Sequence, residues 1–408
     1  MLKRFVAPAL ADLRQDIAGA IPLNLIHDWT ESAQDAAAQQ RILAPNCGSG
    51  TLVSTDSSGL SRMCRQRPLI EVMKLVSQPK EIIHAYGKAL GGEAIGTWVA
   101  DNTEMFYDSS IEVHSVLEHM IAAQREIAGL ELHIGIAIHS GEFVFLGGGA
   151  FGPEADIVEE LAETFTCAGE IAVTSAARER LQPAFPGISF TDKGLAHMNA
   201  YRCDFSQADI DVTKSADKRY PFPFTDEVFD LLQRPDEFDT VEVRRAFSKY
   251  TSEAVVVLVK VHHEPSEFLL QQLTELVIAG AMIREIAQDE RIRTIKSNGG
   301  LGIFLCPDSV KALDFARDLE AAFVANRYEY NIGLARGEVL VFPMNGRGGG
   351  NEIAGGPVNI ASKIAEDVEE HNCIHVDDSV AGELRSIQGA ERFRYSVSGI
   401  EIGGIRLR

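Results

Sequence analysis

The segment IGIAIHSGEFVF, residues 134–145, has a counterpart in IGLARGEVLVF, residues 332–342. Each is an apolar run, a small-residue Gly-Glu pair and a second apolar run, the pattern of two strands joined by a tight connection. The likeness continues downstream in the same order. Gly152-Pro153 precedes a predicted helix over Ile157–Thr166 and a strand over Glu170–Thr174, while Gly356-Pro357 precedes a helix over Val358–Val368 and a strand over Cys373–Val376. From proline to strand the copies differ by one residue, whereas between Gly-Glu and Gly-Pro the second is eight residues longer. That surplus falls in NGRGGGNE, Asn345–Glu352, which reads as a hairpin tip. A repeat fixes architecture before any motif does, so the chain is expected to fold as two copies of one module.

Upstream, both copies carry an amphipathic helix. Val113, Val116, Leu117, Met120, Ile121 and Ile127 follow the 3.6-residue period in the first, and Ala312, Phe315, Ala316, Leu319 and Phe323 in the second. A turn-rich strand pair precedes each, around Ile95–Phe106 and Ile292–Phe304, and each copy opens with a strand, Thr51–Thr55 and Ala254–Val261. The order β-α-α-β-β-α-β-α-β predicts an α+β module, an antiparallel-rich sheet with helices on one face. Residues 1–46 read as an N-terminal helical appendage, 47–203 as the first module, 204–249 as a connector holding Pro221, Pro223 and Pro235, and 250–408 as the second module.

The bulk composition narrows the partners. Against 38 basic residues stand 59 acidic ones, a formal net charge of −21, which disfavours nucleic acid and anionic membranes as partners. An anionic ligand would need a local positive pocket or a divalent metal. No apolar run reaches the length of a membrane span, and the first 20 residues lack the apolar core of a signal peptide, so a cytoplasmic protein is expected. The six cysteines, 47, 64, 167, 203, 306 and 373, show no paired spacing and read as reduced thiols rather than a metal or redox motif.

At residues 51–62 the chain reads TLVSTDSSGLSR, an apolar strand running into Asp56, Gly59 and Ser61. This resembles the first metal-binding strand and turn of the class III nucleotidyl cyclases, with Leu60 in place of phenylalanine. Thr97-Trp98-Val99-Ala100-Asp101 stands where that family has its Lys-x-x-Gly-Asp hairpin, keeping only the aspartate. The resemblance implies that Asp56 and Asp101 hold Mg²⁺ (or Mn²⁺) against a nucleoside triphosphate. Two cations suit the chemistry, one lowering the pKa of the ribose 3′-hydroxyl and one neutralising the leaving pyrophosphate. Hard carboxylate oxygens suit magnesium. The turn Ser57-Ser58-Gly59 can offer backbone N–H groups to phosphate.

The second copy lacks these carboxylates, with Val261 and Ser297 in their places. It has a different set. RIRTIKS, residues 291–297, resembles the purine-reading hairpin, with Arg293 at the family's adenine-reading lysine. NEIAGGPVNIASK, residues 351–363, resembles the pattern acidic–x5–6–Val-Asn-x3-Arg. That implies Glu352 as the second purine reader, Asn359 as the ribose-orienting residue, and Lys363, one helical turn on, in place of the transition-state arginine. The first copy has Asp156 and Glu160 there, wrong in sign for a triphosphate.

The two copies are thus complementary, metals from one and purine and ribose from the other, as in the two unlike domains of mammalian adenylyl cyclases. The resemblance implies two ferredoxin-like (βαββαβ) modules packed as an intramolecular pseudo-dimer. Its expected activity is conversion of ATP, or alternatively GTP, to a 3′,5′-cyclic nucleotide and pyrophosphate. Three departures set a second expectation beside it, a catalytically silent regulator that binds a nucleotide or a partner protein. Gly135 replaces a triphosphate-contacting arginine, Gly403 replaces a lysine in the final hairpin, where Arg406 or Arg408 could substitute, and Lys363 lacks arginine's planar fork.

Plain readings stand next to these. Asp56 and Asp101 suit a turn cap and a hairpin, Arg293 and Glu352 an exposed ion pair, and Asn359 with Lys363 a helix start. The run Gly346–Gly350 has no Gly-Lys-Ser/Thr after it and reads as a hairpin tip, not a phosphate loop. His262-His263 reads as surface, and His139 as a core residue.

Overall fold

Valine- and isoleucine-rich runs form the central strands of two separate sheets. The computed structural model describes residues 21–408 except 61–62, 64–65, 97, 99–101, 147–148, 182–185, 218, 222–224, 234–240, 263–265, 299, 344–350, 369, 385–386 and 398–399. Two short helices, α1 (Leu23–Thr30) and α2 (Ala36–Leu43), lead into β1 (Cys47–Ser57), α3 (Leu69–Ala89), β2 (Glu93–Ile95), β3 (Thr103–Asp108), α4 (Val113–Ile127) and β4 (Ile134–Leu146). β5 (Gly149–Phe151), α5 (Pro153–Phe165), β6 (Ile171–Thr174), α6 (Ser175–Glu179), β7 (Ser189–Asp192) and β8 (Ala200–Asp204) complete the first module. The second runs through α7 (Asp226–Gln233), α8 (Val241–Ser248), β9 (Thr251–His262), α9 (Leu269–Ile286), β10 (Arg293–Asn298), β11 (Leu301–Cys306), α10 (Ser309–Asn326) and β12 (Glu329–Pro343). It ends with β13 (Asn351–Ala354), α11 (Gly356–Glu366), β14 (Cys373–Asp377), α12 (Asp378–Ala381), β15 (Glu391–Val397) and β16 (Ile400–Leu407).

The strands order as β2-β3-β1-β4-β6-β8-β7 in one sheet and β10-β11-β9-β12-β14-β16-β15 in the other, with β5 on β4 and β13 on β12. Each order maps onto the other strand for strand, so the duplication read from the sequence is present in the topology. In each module the first four strands pair antiparallel in the order second-third-first-fourth, which is the ferredoxin-like βαββαβ arrangement. α5 then crosses over to place β6 parallel to β4. The fold is α+β in both halves.

Two expectations need correction. The Gly-Glu pairs do not join two strands, because β4 and β12 each run straight through them. The glycine is there for space: a Cβ at Gly141 would meet the Glu154 carboxylate at 2.5 Å, and Gly337 holds a φ of +152° against Pro357. The small residue lets the start of α5 or α11 cross the strand closely. The helices also do not share one face. Val53, Ile136 and Ile138 pack with α4 on one side of the first sheet, while Leu52, Ala137 and Ala172 pack with Ala155, Val158 and Leu161 of α5 on the other. Burial on both faces explains the near-continuous apolar runs.

The repeat also reaches into both flanking segments. The α1–α2 pair packs on Leu146 of its own module and on Leu270, Leu273 and Val277 of α9 in the other. The α7–α8 pair packs on Leu340 and Phe342 of its own module and is lined by Leu69, Ile70 and Met73 of α3 in the other. The described helices of the expected appendage and connector therefore occupy equivalent places, each clamping one module to its neighbour.

Candidate functional site

Two cavities adjoin along the seam between the modules, sharing Leu60, Asn359 and Ser362 in their walls. One, of about 720 Å³, is polar; the other, of about 380 Å³, is mostly aliphatic.

The polar compartment begins at the C-terminal end of β1. Asp56 is half-buried there, opposite Gly135 of β4, and Ser57, Ser58 and Gly59 continue the wall. The second module faces them with Asn359, Ser362 and Lys363 of α11, followed by Asp367. The structure thus places Asp56, Ser57, Ser58 and Gly59 from one copy in the same cleft as Asn359 and Lys363 from the other. Lys363 forms an ion pair with Asp367, one turn along, at 3.6 Å. Glu163 completes the acidic side of the wall. Among the described residues, three carboxylates line the compartment against one lysine, and that part of the wall attracts a divalent cation. The Ser58 N–H donates to the His133 carbonyl at 3.0 Å, so this donor of the turn is used internally.

Asp101 lies outside the described residues. Its neighbour Asn102 lines the aliphatic compartment and donates to Glu163 at 2.6 Å. The oxygen donors present, the Asp56 carboxylate with the hydroxyls of Ser57 and Ser58, fit the preference of Mg²⁺.

The aliphatic compartment is walled by Leu69, Val72, Met73 and Val76 of α3 on one side and by Leu258, Leu301, Ile303 and Ile353 on the other. Lys296 and Glu352 form an ion pair in its wall, 4% and 2% exposed. Glu352 is therefore no surface pair member, and it also accepts from the Ile353 N–H at 2.9 Å. Arg293 is exposed and absent from both walls. Arg293 pairs with Leu305, further along β11 than the wall residue Ile303, whereas an irregularity in β10, with Thr294 on Phe304 and Lys296 on Ile303, turns Lys296 inward. Lys80 of α3, 3% exposed, also reaches this wall and donates to the Trp98 carbonyl at 2.8 Å.

The register also relocates the second copy's counterpart of Asp56. Asp56 pairs with Gly135, and Lys260 pairs with Asn331, the residue equivalent to Gly135 six places before the mid-strand glycine. Lys260, not Val261, stands where the first copy has its aspartate. At Gly135 a Cβ would meet Thr166 at 2.6 Å, so an arginine there would displace that side chain. Arg406 pairs with Glu370 and Glu391, and Arg408 reaches Glu370 at 3.4 Å. Neither lines the cleft, so neither supplies the missing cation among the described contacts.

No family model and no curated protein matches the chain. Solved structures do. The adenylyl cyclase CyaB from P. aeruginosa is 15% identical over 40% of this chain and 98% of its own, with a TM-score of 0.35. A class III adenylyl cyclase-like ATP-binding protein from Pseudomonas aeruginosa is 13% identical over 82% of this chain and 85% of its own, with a TM-score of 0.48. The guanylate cyclase domain of RhGC from Catenaria anguillulae, solved with GTP, is 14% identical over 38% of this chain and 96% of its own, with a TM-score of 0.34. Class III cyclase structures are what this chain is similar to. Among the described residues, no helix is long and apolar enough to cross a membrane.

Sequence reasoning missed Lys296, Lys80 and Tyr220. A lysine inside the run TIKS is a signal that something must pair with it, but the bulge that aims it is invisible in a strand pattern. Tyr220, whose hydroxyl lies 2.9 Å from Ser77, belongs to the proline-rich connector and carries no pattern at all.

Proposed function

We propose that the chain is a degenerate class III-type nucleotidyl cyclase with one composite site. It binds a purine nucleoside triphosphate with Mg²⁺ or Mn²⁺ and converts it slowly to a 3′,5′-cyclic nucleotide and pyrophosphate. The observation that carries this reading is the meeting of Asp56 with Asn359 and Lys363 in one cleft, each from a different copy. Asp56, together with Asp101 by the family pattern, would hold the metal, which when bound supplies charge neutralisation at the phosphates. Asn359 orients the ribose and Lys363 faces the transferring phosphate.

The base belongs in the aliphatic compartment. Lys296 donates and Glu352 accepts, which matches the acceptor N1 and donor N6 of adenine and favours ATP over GTP. Lys296 takes the role first expected of Arg293.

A second reading, a nucleotide-binding regulator without turnover, is favoured by the shortage of cations among the described residues: Gly135 offers none, Arg406 is held by two glutamates, and Lys363 is shared with Asp367. Incubation with ATP or GTP plus Mg²⁺ or Mn²⁺ separates the two. Cyclic product that disappears in Asp56→Asn supports the cyclase. Absence of product in every combination, with calorimetric nucleotide binding retained, leaves the regulator. Absence of both product and binding sinks the composite site.

A further inference from the structure

Outside both cavity walls, just beyond α11, Glu370, Cys373 and His375 bring a carboxylate oxygen, a sulfur and an imidazole nitrogen within 4.8 Å of one another. Cys373 and His375 alternate along β14 with Ile374 and Val376, which belong to the core on the sheet's opposite face, so the two point the same way. β14 lies between β12 and β16, an interior position that gives the pair a rigid base. Both are fully buried, Cys373 at 1% and His375 at 0% exposure. The His375 Nε2 is 3.3 Å from the Tyr395 hydroxyl, which also lies 3.3 Å from Glu370, while Nδ1 has no hydrogen-bond partner among the described residues. A buried polar atom left unmatched is destabilising, and neither cavity wall includes this residue.

We propose that Glu370, Cys373 and His375 bind a single transition-metal ion of the zinc class. A thiolate with an imidazole selects a borderline-soft cation over magnesium or calcium, so the ion differs in kind from the one expected beside Asp56. Ligands at about 2.0–2.3 Å from a tetrahedral ion are roughly 3.3–3.8 Å apart, so the three atoms need to close by at most about 1–1.5 Å. Coordination forms a metal–sulfur bond and releases the Cys373 thiol proton to buffer. Arg406 and Arg408 already hold Glu370, with Tyr395 beside it, and orient its carboxylate as outer-shell partners do in metal sites. Glu391 offsets part of their charge by pairing with Arg406. A bound ion would pin the exit of α11, the helix that presents Asn359 and Lys363, onto the second sheet.

The test titrates Co²⁺ into the chelator-stripped full chain without nucleotide. The expected result is one equivalent bound with a thiolate-to-cobalt charge-transfer band, displaced by Zn²⁺, lost in Cys373→Ser and kept in Asp56→Asn. Should Cys373→Ser not fold, the half-exposed Glu370→Gln serves instead, expected to keep the band but weaken Zn²⁺ binding by at least about 10-fold. Co²⁺ binding without the band, a band surviving Cys373→Ser, or Zn²⁺ affinity unchanged in Glu370→Gln overturns the proposal.

Discussion

Lys296 of β10 and Glu352 of β13 meet as a buried ion pair, 4% and 2% exposed, in the wall of a cavity shared by both modules. Two charges taken out of water on an aliphatic floor are a poor device for stability, because desolvation offsets much of their attraction. A ligand that hydrogen-bonds to both is a reason to hold them there.

Glu352→Leu leaves the Lys296 ammonium buried without its carboxylate and should cost about 3–5 kcal/mol in denaturant unfolding. The double variant Lys296→Met with Glu352→Leu should recover most of that stability and still bind purine nucleotide at least about 10-fold more weakly, which is about 1.4 kcal/mol. Calorimetry on both variants checks the claim. A double variant that binds nucleotide as tightly as the parent would remove the pair from base recognition.

Asp56 sits half-buried at a strand end in a cleft already rich in carboxylates. Asp56→Asn should therefore act in opposite directions with and without metal. In Mg²⁺ the variant should bind triphosphate at least about 10-fold more weakly; in chelator it should bind no worse than the parent, since one repulsive charge is gone. Equal loss in both conditions would mean a structural role only.

Lys363 and Asp367 are separated by 3.6 Å, with the aspartate side chain 44% exposed. Such a pair contributes little to folding, on the order of 0.3–0.5 kcal/mol. Its removal should matter more for the ligand. Asp367→Asn should tighten triphosphate binding a few-fold at low salt, with the gain shrinking as ionic strength rises. A salt-independent change would point to rearranged packing of α11.

The duplication, the two central strands and the Asn359–Lys363 helix were legible because apolar periodicity and a Gly-Pro helix start survive in both copies. What escaped reading depended on register. A strand pattern says that Lys296 is in a strand, but the irregularity between Thr294 and Lys296 sets it opposite Ile303 of the cavity wall, while Arg293 sits opposite Leu305, beyond the wall. The same one-residue ambiguity put Val261 where pairing puts Lys260, because a slip of one position flips a strand's faces. The Gly-Glu pairs misled for another reason: a glycine that makes room for a crossing helix looks, in sequence, like one that makes a turn.

Glu104 of β3 shares a hydrogen bond with Glu159 of α5. Burial, and then the Glu159 charge, raise the Glu104 carboxyl well above its ordinary 4.5. A carboxyl raised on folding binds its proton more tightly in the folded chain, so its contribution to stability is lost as pH climbs from about 4.5 through the raised value. Glu104→Gln should thus stabilise the protein at neutral pH and flatten the alkaline side of its stability profile, read by denaturant unfolding across pH. A profile unchanged by the substitution would contradict this assignment.

Trp29 belongs to α1, yet its partners are in the other module: its ring lies 5.6 Å from that of Phe268, and its indole N–H donates to Gln271 at 3.3 Å. It is 1% exposed. Trp29→Ala should cost about 3–5 kcal/mol from the lost burial and the cavity left behind. Because the contact bridges the modules, the loss should also appear as weaker coupling, with the unfolding midpoints of two probes, one in each module, further apart in the variant than in the parent. The α7–α8 clamp offers the matching control, since Phe247 packs edge-on to Phe342 at 6.3 Å and bridges toward the α3 side of the cleft. Phe247→Ala should weaken nucleotide binding as well as stability, because Leu232 of the same clamp lines the aliphatic compartment, whereas Trp29→Ala, on the opposite clamp, should leave nucleotide affinity within about 2-fold while the modules remain folded. Equal damage to binding from both would mean that the two clamps act on the cleft through module association alone, not through the wall that α7 supplies.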